Sequence, residues 1–413
     1  MRDDVSLYSM CRVATNEDGN TFVGVTSEND ELRIVFPIGY AIPKDENVLS
    51  RDIFNLLDVL TEFSEKDTEI KTDKFDAPQS VDFPIHSYLT VIFDFVRRGD
   101  YYRETVKTYH KGSSGQQDWE RTFTDCMPLI QRNNTAAYLE TVNVRQSPDI
   151  SNKLTLINKF CVHVALKKLG RLFGGLEAPE PDNMISNQEA LTLINKKLNN
   201  CFQDQVKNLF LAMRAIIDHI DRYPESKIYY FGTERFHKIW EKLIDRIFGE
   251  ENKDDYLPVT RWTLDYDNGK DRTKRPLIPD SIMIYNEKFY VLDAKLYKYG
   301  RTKKFDDLPN GTDINKQITY GEYVKEHHQD SSVFNAFLIP YNKEENKFGI
   351  SGNNFLRIGE ATGDWRPIKT TYNLIQGILV DTRYIMNHYD GGGESQKSGL
   401  SVVIEAAFKD RKL

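Results

Sequence analysis

The chain lacks several features that would place it in large classes of protein. Only four cysteines stand in 413 residues, Cys11, Cys126, Cys161 and Cys201, and none forms a CxxC pair. Spacing this wide argues for free thiols in a reducing compartment and against a disulfide framework or a structural zinc. No uninterrupted apolar run approaches the roughly 20 residues needed to cross a bilayer. Met1-Arg2-Asp3-Asp4 has no apolar leader character. A cytoplasmic protein that makes no use of a membrane is therefore expected. A nucleotide-binding loop is missing as well. Gly391 to Ser398 reads GGGESQKS, but Gln396 stands where glycine is required, and no strand leads into the segment. His327-His328 have no cysteine or acidic partner at zinc spacing.

The sequence is well supplied with the material of packed cores. Hydrophobic residues make up 39%, with 22 Tyr and 23 Phe, and charged residues 28%. A chain of this length can bury two or three cores of ordinary size. The net charge of −7 runs against nucleic-acid binding as a whole-chain property, yet positive charge is clustered. One cluster is Lys270, Arg272, Lys274 and Arg275; a second is Lys295, Lys298, Arg301, Lys303 and Lys304. These either line a groove for phosphates or are solvated loops.

Periodicity divides the chain into three stretches. Residues 1–110 carry β-like runs at Phe22-Val23-Gly24-Val25 and Leu32-Arg33-Ile34-Val35-Phe36, then an extended or helical run from Leu89 to Val96. Residues 111–222 read as mainly helical, with apolar spacing of three and four from Leu154 to Leu172 and from Ala190 to His219. Residues 223–413 alternate helix and strand. Phe236, Ile239, Trp240, Leu243 and Ile247 form one helical stripe. Strands are expected at Val259–Leu264, Ser281–Tyr285, Phe289–Lys295, Val333–Ile339, Gly377–Val380 and Ser401–Ile404, with a helix over about Thr312–His328. The last stretch is expected to fold alone from about residue 225, leaving the N-terminal half for assembly.

Two acids and a lysine stand out in that stretch. Pro279-Asp280 opens one strand and Asp293-Ala294-Lys295 closes the next, around the polar turn Asn286-Glu287. With a two-residue hairpin loop, Tyr285 pairs with Lys288 and Asp280 falls opposite Asp293. Their Cβ atoms would then be about 4.5–5.5 Å apart, with Lys295 on the same face. Carboxylates so close need a shared proton or a cation. Mg²⁺, with Mn²⁺ as a substitute, suits such a pair and can activate water toward a phosphodiester. Lys295 would steady the developing negative charge.

The residues also carry a resemblance. Tyr229-Tyr230-Phe231-Gly232-Thr233-Glu234 through Trp240-Glu241, Pro279-Asp280, Val291-Leu292-Asp293-Ala294-Lys295 and Lys316-Gln317-Ile318-Thr319-Tyr320 resemble the LlaJI restriction endonucleases, a family similar to McrC nuclease subunits. Gly115 to Thr122 is similar to a segment of McrC-type N-terminal regions. The resemblance implies an α/β fold whose C-terminal core is a PD-(D/E)xK nuclease, a mixed sheet flanked by helices, after an N-terminal α+β and helical region. It implies Asp280 and Asp293 as metal ligands and Lys295 as the catalytic lysine. Glu241 is a further candidate for the metal or its water, with Glu234 competing and a plain helix surface as the other reading. Gln317 and Tyr320 either support the lysine and the DNA backbone or pack a helix; Lys274, Arg275, Lys298 and Arg301 are the candidate DNA contacts. Implied partners are double-stranded DNA, an McrB-like AAA+ GTPase and a cognate DNA methyltransferase. A stand-alone nuclease and a non-catalytic DNA-binding or assembly subunit on an inert nuclease fold are the rival readings.

Overall fold

The computed structural model describes residues 6–28, 31–66, 81–112, 115–132, 135–149, 152–181, 185–223, 228–265, 271–273, 276–366, 370–391 and 393–409. The chain forms two compact units, Met1–Ser80 with Ile228–Leu413, and Val81–Lys227. This differs from the three consecutive stretches expected, with boundaries at 110 and 222. The N-terminal 80 residues belong with the C-terminal part.

The reason lies in a sheet that both ends of the chain build. β1 (Cys11–Val13) runs parallel to β3 (Glu31–Phe36), and β2 (Val23–Glu28) lies antiparallel to β3. β4 (Ile228–Thr233) then pairs antiparallel with β2. Gly24 sits opposite Gly232, with φ of +145° and +158°. A Cβ on either residue would lie 2.2 Å from a carbonyl oxygen of the other strand, so only glycine permits this close approach. Helix α1 (Glu46–Lys66) buries Leu49, Ile53, Leu56, Leu57 and Leu60. Further bonds tie the two ends of the chain together. Asp52 accepts from Arg383 Nε at 2.6 Å, Asn55 donates to the Met386 carbonyl at 2.8 Å, and Thr382 donates to the Ile38 carbonyl at 2.9 Å. A C-terminal piece starting near residue 225 would leave all of these unmade.

The second sheet of this unit carries the candidate site. β5 (Ser281–Tyr285) and β6 (Lys288–Ala294) form an antiparallel hairpin. β7 (Val333–Tyr341) lies parallel to β6, β9 (Ile375–Asp381) parallel to β7, and β8 (Phe355–Ala361) antiparallel to β9. The spatial order is therefore β5-β6-β7-β9-β8. β7 is buried at every position, as a central parallel strand covered on both faces should be. Helix α2 (Phe236–Phe248) buries the predicted stripe, and Trp240 Nε1 donates to the Leu338 carbonyl at 3.4 Å. Each such large apolar side chain taken fully from water stabilises the fold by about 1.5–3 kcal/mol. Helix α3 (Gly311–His327) covers one sheet face, where Tyr320 and Val324 pack on Ile282, Val291 and Val333, and Ile318 packs on Phe337 and Ile375.

Three expected elements differ. Ser401–Ile404 belongs to helix α5 (Glu394–Glu405), which follows the short helix α4 (Thr382–His388). The β-branched Val402-Val403 imitates a strand, but Leu400 and Ile404 are buried at helical spacing while Val402 is 59% exposed. The expected strand Val259–Leu264 shrinks to the exposed Arg261–Thr263, paired with Asp271–Thr273 in a two-stranded ribbon. The stretch 111–222 is not helical from its start. Glu104–Gly112 and Thr141–Asp149 form a long antiparallel pair, one short helix, Trp119–Asp125, lies between them, and the long helices begin at Lys153. Polar residues on both faces of that pair erase the alternation that marks a strand. In the second unit, Lys153–Leu169, Asn187–Leu198 and Asp204–Arg222 supply the helical core, with Ile157, Cys161, Ile194, Phe210 and Met213 buried. All four cysteines are free thiols. Among the described residues no helix is long and apolar enough to cross a membrane.

Candidate active site

The β5–β6 hairpin has the two-residue Asn286-Glu287 loop that sets Asp280 opposite Asp293. Tyr285 pairs with Lys288, and Asn286 and Glu287 both take positive φ, +48° and +60°. That is the type I′ geometry whose twist matches the strands. Successive pairs Ile284–Phe289, Ile282–Val291 and Ser281–Leu292 extend the register to Asp280 beside Asp293. Ile282 and Val291 face α3, so the alternating positions Asp280, Asp293 and Lys295 share that face.

Specific bonds fix the three groups. Asp280 Oδ2 accepts from the Ala294 backbone N–H at 3.0 Å, across the hairpin mouth. The Lys253 ammonium donates to the Asp280 carbonyl at 2.8 Å. Lys295 Nζ lies 2.8 Å from Asp293 Oδ2 and 3.7 Å from Asp313 Oδ1. The Lys295 backbone N–H donates to the Leu338 carbonyl at 2.9 Å, continuing the parallel ladder and aiming the side chain. Gln317 and Tyr320 act as packing groups that also hold the site. Gln317 Nε2 donates to the Val291 carbonyl at 2.7 Å, and the Tyr320 hydroxyl donates to the Ile278 carbonyl at 2.9 Å, two residues before Asp280.

The electrostatics are those of a crowded acid pair. Burial, then the charge of Asp280, push the Asp293 carboxyl up to about 7 against the pull of Lys295. Burial works against the charge on Lys295, but Asp293 and then Asp280 hold its ammonium above the ordinary lysine range. Burial and the Asp280 charge also raise Glu241, with Lys238, Lys295 and Lys316 opposing. Glu241 is thus electrostatically part of the site.

A stability consequence follows. The folded state keeps a proton at the acid pair that the unfolded chain has lost, over the window from about 3.8 to about 7. Stability therefore falls as pH rises through that window and stays lowered above it. Asp280→Asn removes the repelling charge and retains an acceptor for Ala294. It is expected to melt higher than the parent at pH 8, with the difference closing below pH 5. Each 1 kcal/mol of relieved repulsion is worth about 2–4 °C in a domain of this size. Calorimetric melts at the two pH values check it, and an equal shift at both would contradict a raised Asp293 carboxyl.

The candidate DNA contacts fare differently. Lys298 pairs with Asp307 at 3.5 Å, and Arg301 pairs with Glu17 at 3.2 Å while donating to the Thr15 carbonyl. Lys270, Lys274 and Arg275 lie outside the described residues. Asp313 and Tyr297 were not singled out in the sequence. The Tyr297 hydroxyl donates to Asp313 Oδ2 at 3.0 Å beside Lys295. Position offered one clue: Tyr297 stands two residues after Lys295, and Asp313 stands in the first turn of α3.

The LlaJI restriction endonuclease family model matches residues 22–362. The chain belongs to that family. The match spans both chain segments that build the unit carrying Asp280, Asp293 and Lys295. A solved structure, the half-complex of Thermococcus gammatolerans McrB AAA+ hexamers with bound McrC, contains a chain similar to this one at 13% identity and a TM-score of 0.36, covering 94% of this chain and 83% of that one. No curated protein matches significantly.

Proposed function

We propose that this LlaJI family member is a metal-dependent endodeoxyribonuclease of the PD-(D/E)xK type, hydrolysing phosphodiester bonds of double-stranded foreign DNA. Asp280 and Asp293 would hold Mg²⁺ or Mn²⁺, and Lys295 would be the catalytic cation. The observation that carries this reading is the placement of Asp280 and the buried Asp293 on one sheet face at the hairpin mouth, with the Lys295 ammonium 2.8 Å from Asp293. A divalent cation relieves the repulsion between two such carboxylates.

The donor set fits a particular kind of metal. Among the described residues, no group of three or more His, Cys, Asp or Glu side chains is arranged to hold an ion. A pair of carboxylates suits Mg²⁺, which keeps waters and takes phosphate oxygens as its remaining ligands. When bound, the ion would supply charge neutralisation at a phosphoryl oxygen and a more acidic attacking water. Lys295 then places its ammonium against the developing negative charge. Glu241, whose carboxyl is raised, would exchange a proton with solvent on the Asp280 side. Gln317 and Tyr320 keep the strands that carry the acids in register.

The wider system follows from the family resemblance. An McrB-like AAA+ GTPase would act as motor, a cognate methyltransferase would protect host DNA, and a cytoplasmic setting suits four free thiols. The second unit supports a docking role. Trp119 is 49%, Phe123 61% and Met127 96% exposed there, a concentration of apolar side chains uncommon on a surface without a partner. The purified chain should nick supercoiled plasmid in Mg²⁺, faster when an McrB-like GTPase and GTP are added. Excess chelator should stop it, and Ca²⁺ should permit DNA binding with little turnover. Cleavage undiminished in excess chelator would overturn the mechanism.

A further inference from the structure

Two carboxylates form ion pairs with the Lys295 ammonium, and they are held in different ways. Asp293 is the nearer, at 2.8 Å, but its oxygens are also those facing Asp280. A cation held by the two acids would draw on the same oxygens and repel the ammonium. Asp313 stands on the other side, 3.7 Å away. Its Oδ2 is fully engaged, accepting the Tyr297 hydroxyl at 3.0 Å and the Asn310 backbone N–H at 3.1 Å within the capping box of α3. Its Oδ1 is the oxygen presented to Lys295. Asn310 Oδ1 in turn accepts the backbone N–H groups of Thr312 and Asp313, at 2.8 and 3.2 Å, so the start of α3 is rigidly tied. Helix cap, tyrosine and aspartate make a fixed bracket with one oxygen aimed at the lysine.

We propose that Asp313, oriented by Tyr297, is the positioning residue for Lys295, anchoring the ammonium when Asp293 is committed to the metal. The proposal rests on the nuclease reading above. It accounts for a tyrosine and an aspartate, neither of them part of the acid pair, converging on the catalytic cation. Because Asp313 acts through Lys295, its loss should lower turnover without weakening DNA or metal binding.

Full-length Asp313→Asn, Asp313→Glu and Tyr297→Phe test it. An asparagine at 313 can still accept from Asn310 and Tyr297 through its oxygen, so the cap survives, but it turns an N–H toward the ammonium. Asp313→Asn should reduce kcat about 10–100-fold, with KM for DNA, melting temperature and calorimetric Ca²⁺ affinity unchanged. Tyr297→Phe should reduce kcat by a smaller factor, and Asp313→Glu should recover part of the loss. Unchanged kcat in Asp313→Asn would overturn the assignment. So would a tenfold loss of Ca²⁺ affinity, which would make Asp313 a metal ligand, or a kcat loss that only accompanies a lowered melting temperature. Lys295→Ala in parallel separates the two readings: if it cleaves normally, the nuclease assignment itself fails, and if it is inactive while Asp313→Asn is fully active, only the positioning role fails.

Discussion

Lys295→Ala and Asp293→Ala are each expected to lower the single-turnover rate of DNA cleavage by on the order of 10³-fold. The two losses have different physical origins. Removing Asp293 takes away one of two candidate metal ligands and leaves Asp280 alone with its Ala294 contact. Removing Lys295 takes the nearest positive charge from the buried Asp293, so its carboxyl holds a proton more firmly. The rival role for Lys295 is that of counter-ion to a buried carboxylate, with no part in the chemistry. Lys295→Arg separates the roles. A guanidinium keeps the charge and can pair with Asp293, but its planar fork cannot reproduce a point charge on a flexible stem. Lys295→Arg should therefore keep the parent's melting temperature and lose most of the rate. Full activity in Lys295→Ala, measured where the parent is active, would remove the lysine from the mechanism.

The candidate site was legible because local rules determine it. A hairpin with a two-residue turn fixes register, and register alone puts Asp280 opposite Asp293 and Lys295 on their face. The stripe of α2 and the buried run of β7 were equally plain, since each has a period belonging to one element type. What was hidden depends on the chain returning from a distance. Nothing within Val23–Glu28 announces that its partner is Ile228–Thr233, beyond a glycine in each strand that makes sense only once they meet. Glu104–Gly112 was missed because its two faces are both polar, and α5 was mistaken because two adjacent valines outweighed a four-residue spacing. Asp313 escaped notice as a site residue for another reason. A helix-capping aspartate is so common that its second contact, to a lysine 18 positions earlier, leaves no trace in the local pattern.

A chain of residues 228–413 alone is expected to fail to fold cooperatively, although it contains Asp280, Asp293, Lys295 and Glu241. It would expose β4 as an unpaired edge beside Gly232, a template for aggregation. It would strand the Arg383 guanidinium, whose partner Asp52 is buried at 4% exposure. It would also lack the apolar residues that α1 contributes to the unit, including Leu49, Ile53, Leu56 and Leu60, each at 2% exposure or less in the full chain. Losing four such fully buried side chains at about 1.5–3 kcal/mol each is comparable to the whole 5–15 kcal/mol that stabilises an ordinary domain. Joining residue 80 to residue 228 through a flexible glycine-serine linker, without Val81–Lys227, restores every one of these contacts because they all lie inside one compact unit. The joined protein should melt in a single transition, keep metal-dependent nicking, and lose stimulation by the GTPase if docking resides in the excised unit. Circular dichroism melts of the two proteins decide the structural part. A cooperative transition in 228–413 alone would mean that the N-terminal 80 residues merely decorate the part that carries the candidate site. A joined protein that melts cooperatively and still responds fully to the GTPase would move the docking surface out of Val81–Lys227.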